Sequence, residues 1–147
     1  MTDKCTFLET WFRRVWTEQD TKAIEELFNP SGFAEGLGNQ TLIGPDQFKQ
    51  FHAALSQQIT DIHFTIDKCM EEDPWVSMIC TLDAKARKTG QPVRITGTAF
   101  VRIENGQIVE AYNHFDFISL WSQLELLPSD GFERCLRGER MAVMPDE

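Results

Sequence analysis

Four segments in which apolar and polar residues alternate follow one another through the second half of the chain. They begin near Asp61, Trp75, Pro92 and Gly106, and the stretches EEDP, KTGQ and ENGQ connect them. Alternation with a period of two is typical of half-buried strands, and connections this short join antiparallel neighbours. The sequence therefore predicts a meander of long antiparallel β-strands.

Three helices are predicted ahead of most of this meander. Apolar residues recur at helical spacing over residues 4–18, and Asp20 can cap a second helix that the NPSG stretch at 29–32 ends. A short strand over 33–37 follows, and a Gly-Pro pair at 44–45 begins the third helix. Because helices come first and antiparallel strands later, we expect an α+β fold with a curved sheet wrapped over helices.

The chain is long enough for one domain. Its 147 residues are 41% hydrophobic, which supplies material for one sizeable core. We expect this domain over residues 1–128, with a short helix over 118–127 closing one end. Residues 129–147 are predicted to form a polar tail, with a helical turn that begins at Ser129 or Asp130.

The charge of the chain excludes two classes of partner. A formal net charge of −9 opposes the phosphate neutralisation that nucleic-acid binding requires. Charged residues interrupt every apolar run before it reaches the ~20 residues of a membrane span. We therefore expect a soluble, cytoplasmic protein with neither a nucleic-acid partner nor a membrane partner.

The cysteines show no metal-binding or redox pattern. Cys5, Cys69, Cys80 and Cys135 form no C-x-x-C pair, which argues against a zinc site or a thioredoxin-like motif. Because the N-terminal residues do not match a signal peptide, we expect all four to be reduced thiols.

Hairpin registers predict which strand face lies inside. If Asn105-Gly106 form a two-residue turn, the opposed pairs are Ala99 with Tyr112, Gly97 with His114, and Ile95 with Asp116. If Thr89-Gly90 form the preceding turn, one face is apolar and includes Val76, Met78, Cys80, Leu82, Ala84, Ile95, Ala99, Val101, Ile103 and Ile108.

Glu110, Tyr112, His114 and Asp116 share that face in this register. The small Gly97 and Ala99 leave space opposite them, so the sequence predicts a pocket with a polar floor. A register shift of one residue in either hairpin would move these side chains to the other face. That other face carries apolar residues too, which is typical of a dimer surface: Ile79, Phe100, Val109, Phe115 and Phe117.

Residues 11–128 resemble the SnoaL-like polyketide cyclases, a branch of the nuclear transport factor 2-like superfamily. The matching segments are VWTEQDTKAIEELFNPSGF, GPDQFKQFHAAL, TGQPVRITGTAFVRIENGQIVEAYNHFD and LWSQLELLP. The ending is the most specific, and it matches at Gly106, Ile108, Glu110, Tyr112, Asp116, Gln123 and Leu124. Two positions depart from the family pattern: Tyr112 stands where Trp is usual, and Glu125 replaces a Gly.

The resemblance implies a cone-shaped fold in which a curved antiparallel sheet and three N-terminal helices enclose a cavity. It also implies homodimers formed through the outer face of the sheet. In the cyclases, the aspartate that matches Asp116 is the general acid/base of an intramolecular aldol closure, which uses neither metal nor cofactor.

Asp116 and His114 are the predicted catalytic residues. An inward carboxyl beside aromatic residues has its charged form disfavoured, which suits proton transfer, and His114 would relay protons with it. The alternatives are a carboxylate satisfied by backbone or Trp N–H groups and a structural histidine. No metal is expected, because their strand supplies no third ligand.

Six residues are predicted to contact a ligand: Tyr112, Trp16, Phe12, His52, Met78 and Ala99. Tyr112 would donate its hydroxyl or only pack its ring, and the helical aromatic residues would line the cavity or belong to the plain core. Two functions stay open. One is a cofactor-free cyclase or isomerase acting on a small apolar or polyketide-like substrate, and the other is a non-catalytic ligand-binding or dimerisation module.

Overall fold

The computed structural model describes residues 3–141, and this part of the chain contains five α-helices. Their bounds are α1 Asp3–Phe12, α2 Thr21–Leu27, α3 Gly44–Ser56, α4 Phe117–Gln123 and α5 Gly131–Leu136. A π-helical turn, Arg13–Thr17, continues α1. The predicted cap of the second helix is present, because the Asp20 carboxylate accepts a hydrogen bond from the Lys22 N–H at 3.1 Å.

Six strands form one curved sheet. Their bounds are β1 Phe28–Glu35, β2 Leu42–Ile43, β3 Ile59–Glu72, β4 Trp75–Ala86, β5 Pro92–Glu104 and β6 Gln107–Phe115. The order across the sheet is β2-β1-β6-β5-β4-β3, and β3 to β6 form the predicted antiparallel meander. The sheet as a whole is mixed, because β1 pairs with β6 in parallel.

The concave face of the sheet packs against the helices and forms the core. α1 and the π-helical turn lie against β3, while α3 lies against β1. The fully buried side chains include Leu8, Val15, Ile24, Phe28 and Leu120. The predicted α+β architecture is confirmed.

The β4–β5 hairpin has an unbroken register. It pairs Val76 with Val101, Met78 with Ala99, and Leu82 with Ile95. Its connection has four residues, 87–90, since the Ala86 N–H bonds the Gln91 carbonyl at 2.8 Å. The predicted two-residue turn was therefore wrong, but the register moved by an even number of residues and each side chain kept its predicted face.

The β5–β6 hairpin contains a bulge that its turn sequence does not predict. Asn105 (φ 53°) and Gly106 (φ 72°) form the predicted tight turn, and Ile103 pairs with Ile108. The next pair is Arg102 with Glu110, so Val109 is an extra residue.

This shift of one residue turns the rest of β6 over. Phe100 faces Tyr112 and Thr98 faces His114, on the outer side of the sheet. The prediction that Glu110, Tyr112 and His114 point inward was wrong.

Two cysteines form a disulfide, which corrects the prediction of four reduced thiols. Cys5 on α1 is bonded to Cys69 on β3, while Cys80 and Cys135 are free. Burial raises the pKa of the Cys80 thiol to about 12, so this thiol stays protonated. Disulfides are rare in reducing compartments, and this one weighs against the predicted cytoplasmic location.

No helix within residues 3–141 is both long and apolar enough to cross a bilayer.

Candidate functional site

An apolar cavity lies between the concave face of the sheet and the helices. Its volume is about 60 Å³. Nine of the side chains around it are aromatic: Trp11, Phe12, Trp16, Phe28, Phe48, Phe51, Phe64, Phe115 and Phe117. Aliphatic residues complete most of the lining, namely Leu8, Ala34, Leu37, Leu55, Leu82, Ile95, Ala99, Val101, Ile108 and Ala111.

Asn113 is the remaining lining residue and brings an amide into the cavity wall. Its Nδ2 donates a hydrogen bond to the Glu35 carbonyl at 3.0 Å, which fixes the orientation of the side chain. Among the described residues that line the cavity, none is ionisable near neutral pH. A molecule bound there meets aromatic rings, methyl groups and one amide, but no side chain suited to general acid/base catalysis.

Three of the predicted ligand contacts lie on the cavity. Phe12, Trp16 and Ala99 are buried and contribute to its lining. Met78 is buried in the core, but it does not line the cavity.

His52 is buried beside the cavity without lining it. Its Nε2 lies 2.8 Å from the Val15 carbonyl, and its ring centroid lies 4.6 Å from that of Trp16. Burial lowers the pKa of His52 below its ordinary value, although the hydrogen bond to Val15 opposes this. The neutral imidazole therefore donates a hydrogen bond between α3 and the π-helical turn and holds them together.

Tyr112 lies on the outer face, in a polar chain with two other side chains. Its hydroxyl donates to the Glu110 carboxylate, which also accepts from the Arg102 Nε at 2.8 Å. The Tyr112 hydroxyl and the Arg102 guanidinium hold the pKa of Glu110 below its ordinary value. The Tyr112 ring packs edge-to-face on the Phe33 ring, with 5.9 Å between their centroids. This contact holds the ring on the side of the sheet away from the cavity.

Asp116 and His114 are both exposed and do not line the cavity. Asp116 is the N-cap of α4, where its Oδ1 accepts a hydrogen bond from the Ser119 N–H at 3.0 Å. This is the alternative expected from the sequence, a carboxylate that backbone N–H groups satisfy. The predicted inward position of Asp116 was wrong, because the strand ends before it and the chain turns into a helix.

The residues that sequence reasoning missed are the inward ones of β6 and its continuation. Asn113, Phe115 and Phe117 line the cavity, whereas Phe115 and Phe117 were expected on the outer face. A signal was present, because the apolar residues Val109, Ala111 and Phe115 alternate with polar neighbours. Plain alternation predicts that the apolar set points inward, and here it was a better guide than the register extrapolated from the turn.

Solved structures of other proteins share this architecture. A protein from Jannaschia sp. CCS1, assigned to the SnoaL-like polyketide cyclases, is 18% identical, with a TM-score of 0.73 over 84% of this chain and 92% of that chain. IdmH from Streptomyces antibioticus, assigned as a polyketide cyclase, is 15% identical, with a TM-score of 0.71 over 84% of this chain and 99% of its own.

A third similar structure is a protein of ketosteroid isomerase-like fold from Catenulispora acidiphila DSM 44928, solved in complex with trimethylamine. It is 20% identical, with a TM-score of 0.72 over 88% of this chain and 98% of that chain. Identities this low show a common fold and leave open whether the activities are shared.

The sequence also matches a family model directly. The model of the SnoaL-like polyketide cyclases matches residues 6–124, which extend from within α1 to the end of α4. Comparison with curated proteins gave no match. A cone of helices and curved sheet, together with a family match over most of the chain, makes this protein a member of the SnoaL-like polyketide cyclase family.

Proposed function

We propose that the protein binds a small, largely apolar molecule in this apolar cavity and does not transform it. The observation that carries this proposal is the lining of the cavity, which is apolar except for Asn113. Apolar pockets with a few placed polar groups are typical of small-molecule sites. A general acid or base must come within hydrogen-bond reach of its substrate, and Asp116 instead caps α4 outside the cavity.

The size of the cavity limits the ligand. Pockets for drug-sized ligands enclose roughly 300–1,000 Å³, and an apolar cavity of about 150 Å³ is known to bind benzene or xenon. The cavity here measures about 60 Å³. A molecule of a few heavy atoms fits it, while a polycyclic polyketide requires several aromatic side chains to move.

The test is xenon binding, followed by ¹²⁹Xe NMR and by diffraction from pressurised crystals. Ala99→Val should fill the cavity and abolish binding, because Ala99 lines it. Ala84→Val is the matched control, since Ala84 is buried on β4 but does not line the cavity. Xenon that binds elsewhere, or binding that survives Ala99→Val, contradicts the proposal.

Catalysis through Asp116 is tested separately. Asn is as good an N-cap as Asp, so Asp116→Asn should leave the fold and ligand binding unchanged. Incubation of wild type and Asp116→Asn with a metabolite library, read by mass spectrometry, should show no conversion by either protein. Conversion by wild type that Asp116→Asn abolishes would establish the cyclase or isomerase function instead.

We also propose that a second copy of the chain covers the outer face of the sheet. Ile79 is 44% exposed and Phe100 is 50% exposed on that face, and the Trp75 ring lies 4.8 Å from the Phe100 ring. Sedimentation should show a dimer that Phe100→Lys weakens and Phe132→Lys does not, because Phe132 is exposed on α5. A monomeric wild type would reject this assembly.

A further inference from the structure

A second cleft on the protein surface shares two lining residues with the apolar cavity. It lies between α1 with its π-helical turn and β3, and it encloses about 500 Å³. Its lining consists of Glu9, Phe12, Arg13, Thr17, His63, Phe64, Thr65 and Ile66. Phe12 and Phe64 also line the cavity, so these two rings separate the two spaces.

The two rings stack on each other. Their centroids are 4.3 Å apart and their planes differ by 20°. A ligand that parts them can place one end in the cavity and the other in the cleft.

The backbone near both rings is irregular. Phe12 is the last residue of α1 and directly precedes the π-helical turn. Phe64 lies between two register shifts of β3, one between Thr60 and His63 and one between Ile66 and Lys68. Bulges and π-turns recur beside binding sites, where they redirect a side chain and interrupt regular pairing.

The charges of the cleft favour a cation. The Arg13 Nε is bonded to Glu18 at 3.1 Å, and the His63 Nε2 lies 3.2 Å from Asp61. Glu9 is exposed and has no hydrogen-bond or ion-pair partner within residues 3–141. The unpaired charge that lines the cleft is therefore a carboxylate.

Two other features also favour a cation in the cleft. The chain carries a formal net charge of −9, which raises the local concentration of cations. Aromatic rings also attract ammonium groups through their quadrupoles, and two such rings, Phe12 and Phe64, line the cleft.

We propose that the cleft is a second part of the ligand site and binds the cationic head of a small alkylamine. The apolar chain of that amine passes between Phe12 and Phe64 into the cavity, while Glu9 pairs with the ammonium. This inference rests on the proposed binding function and adds the chemical class of the ligand.

The experiment compares n-propylamine, which is an ammonium ion at pH 7, with n-propanol, which has the same chain and no charge. NMR titration measures both affinities, and the shift of the Ala99 methyl signal reports whether the chain has entered the cavity. We expect the amine to bind about fivefold more tightly than the alcohol, with both shifting Ala99, because an exposed ion pair and a cation–π contact are each modest.

Glu9→Gln should remove the preference for the amine and leave the affinity for the alcohol unchanged. Glu133→Gln is the matched control, because it removes the same charge from an exposed residue on α5, outside the cleft. The control variant should keep the fivefold preference.

Each remaining outcome decides against one proposal or both. Equal affinities in wild type, or a preference that survives Glu9→Gln, overturn the cation site and leave the apolar cavity site intact. An amine that binds without shifting Ala99 also overturns it. If neither compound binds and xenon also fails to bind, the proposed function falls together with this inference.

Discussion

Strand β5 pairs with β4 in a regular register and with β6 in an interrupted one. Towards β4 the ladder runs from Trp75–Arg102 to Lys85–Pro92 without interruption. Towards β6 it changes register at Val109, close to the turn. Counting residues from the turn therefore assigns side chains to the correct face in the β4–β5 hairpin. In the β5–β6 hairpin the same count is wrong for β6 beyond Val109.

The difference shows what decides whether a side chain is assigned to the correct face. A register error of two residues leaves every side chain on its predicted face, whereas an error of one residue moves every side chain to the other face. The turn of the β4–β5 hairpin is two residues longer than the sequence predicts, yet its buried side chains are unaffected. The turn of the β5–β6 hairpin is as predicted, yet one bulged residue moves Glu110, Tyr112 and His114 to the outside. The bulge packs closely against β1, since a Cβ at Gly32 would lie 2.8 Å from the Ile108 carbonyl oxygen.

Deletion of Ile79 should have the largest effect. It removes a residue from the regular ladder and forces half of β4 to turn over, so that Met78 or Leu82 leaves the core and polar neighbours enter it. Losing several buried side chains at about 2 kcal/mol each, and burying polar groups at about 1–3 kcal/mol each, is comparable with the whole stability of a domain. Urea denaturation followed by near-UV circular dichroism should show no cooperative transition. A folded deletion variant would mean that β5 accommodates a bulged residue opposite β4, as β6 does opposite β5.

Removal of the disulfide should have the second largest effect, and the local loosening that accompanies it should be greatest on the β3 side of the sheet. The Cys5–Cys69 bond closes a loop across a sequence separation of 64 residues, and the chain-entropy model assigns such a loop about 4 kcal/mol. Cys69→Ser should lower the free energy of unfolding by up to about that amount and speed amide exchange in β3 more than in β6.

The exposed free thiol provides the control for this experiment. Cys135→Ser should leave the unfolding curve unchanged, and dithiothreitol should convert wild type to the behaviour of Cys69→Ser. Equal stability of Cys69→Ser and wild type without reductant would contradict the stabilising role of the bond.

Deletion of Val109 should be much milder than deletion of Ile79. Without the bulged residue, Ile108 and Glu110 become neighbours in a continuous register, and every later side chain of β6 keeps its face. We expect a cost of about 2 kcal/mol, typical of a local change, with a cooperative unfolding transition in urea. Loss of folding would show that the bend made by the bulge is essential to the cone.

Glu110→Gln should have the smallest effect, and the effect should depend on pH. The Tyr112 hydroxyl and the Arg102 guanidinium lower the pKa of folded Glu110 below its ordinary value of 4.5. The stability it contributes is therefore present above that ordinary value and is lost as pH falls through the lowered pKa. The melting temperatures of variant and wild type should differ slightly at pH 7 and converge in acid.

A double-mutant cycle with Tyr112→Phe should show that the two side chains are coupled. A large destabilisation by Glu110→Gln at pH 7 would instead indicate a buried, inward carboxylate, and so a β6 without its bulge.

The architecture was largely predictable, because it follows from periodic signals. The 3.6-residue spacing in the N-terminal segment, the cap at Asp20 and the alternation in the meander each depend on local chemistry. The parallel pairing of β1 with β6 was not predictable in this way, since it joins distant parts of the chain with no turn between them.

The candidate site was predicted only in part. Phe12, Trp16 and Ala99 line the cavity because helical and strand periodicity placed them, whereas Tyr112, His114 and Asp116 depended on a register counted through a bulge. Nothing in a turn sequence reports a bulge several residues away. The Cys5–Cys69 bond was missed for a related reason, since two cysteines 64 residues apart carry no spacing motif.

The disulfide also determines which parts of the chain can carry a mechanical load. A pulling force applied at the two ends passes from Cys5 directly to Cys69 through the sulfur atoms, so α2, α3 and the cavity-lining part of α1 lie in a loop under no tension. That loop has a sequence separation of 64 residues. At roughly 3.5 Å per residue, the disulfide therefore prevents a pulling force from extending about 220 Å of contour length. Stretching must therefore act first on β4, β5 and β6, which lie outside the loop, while the helices inside it bear no load.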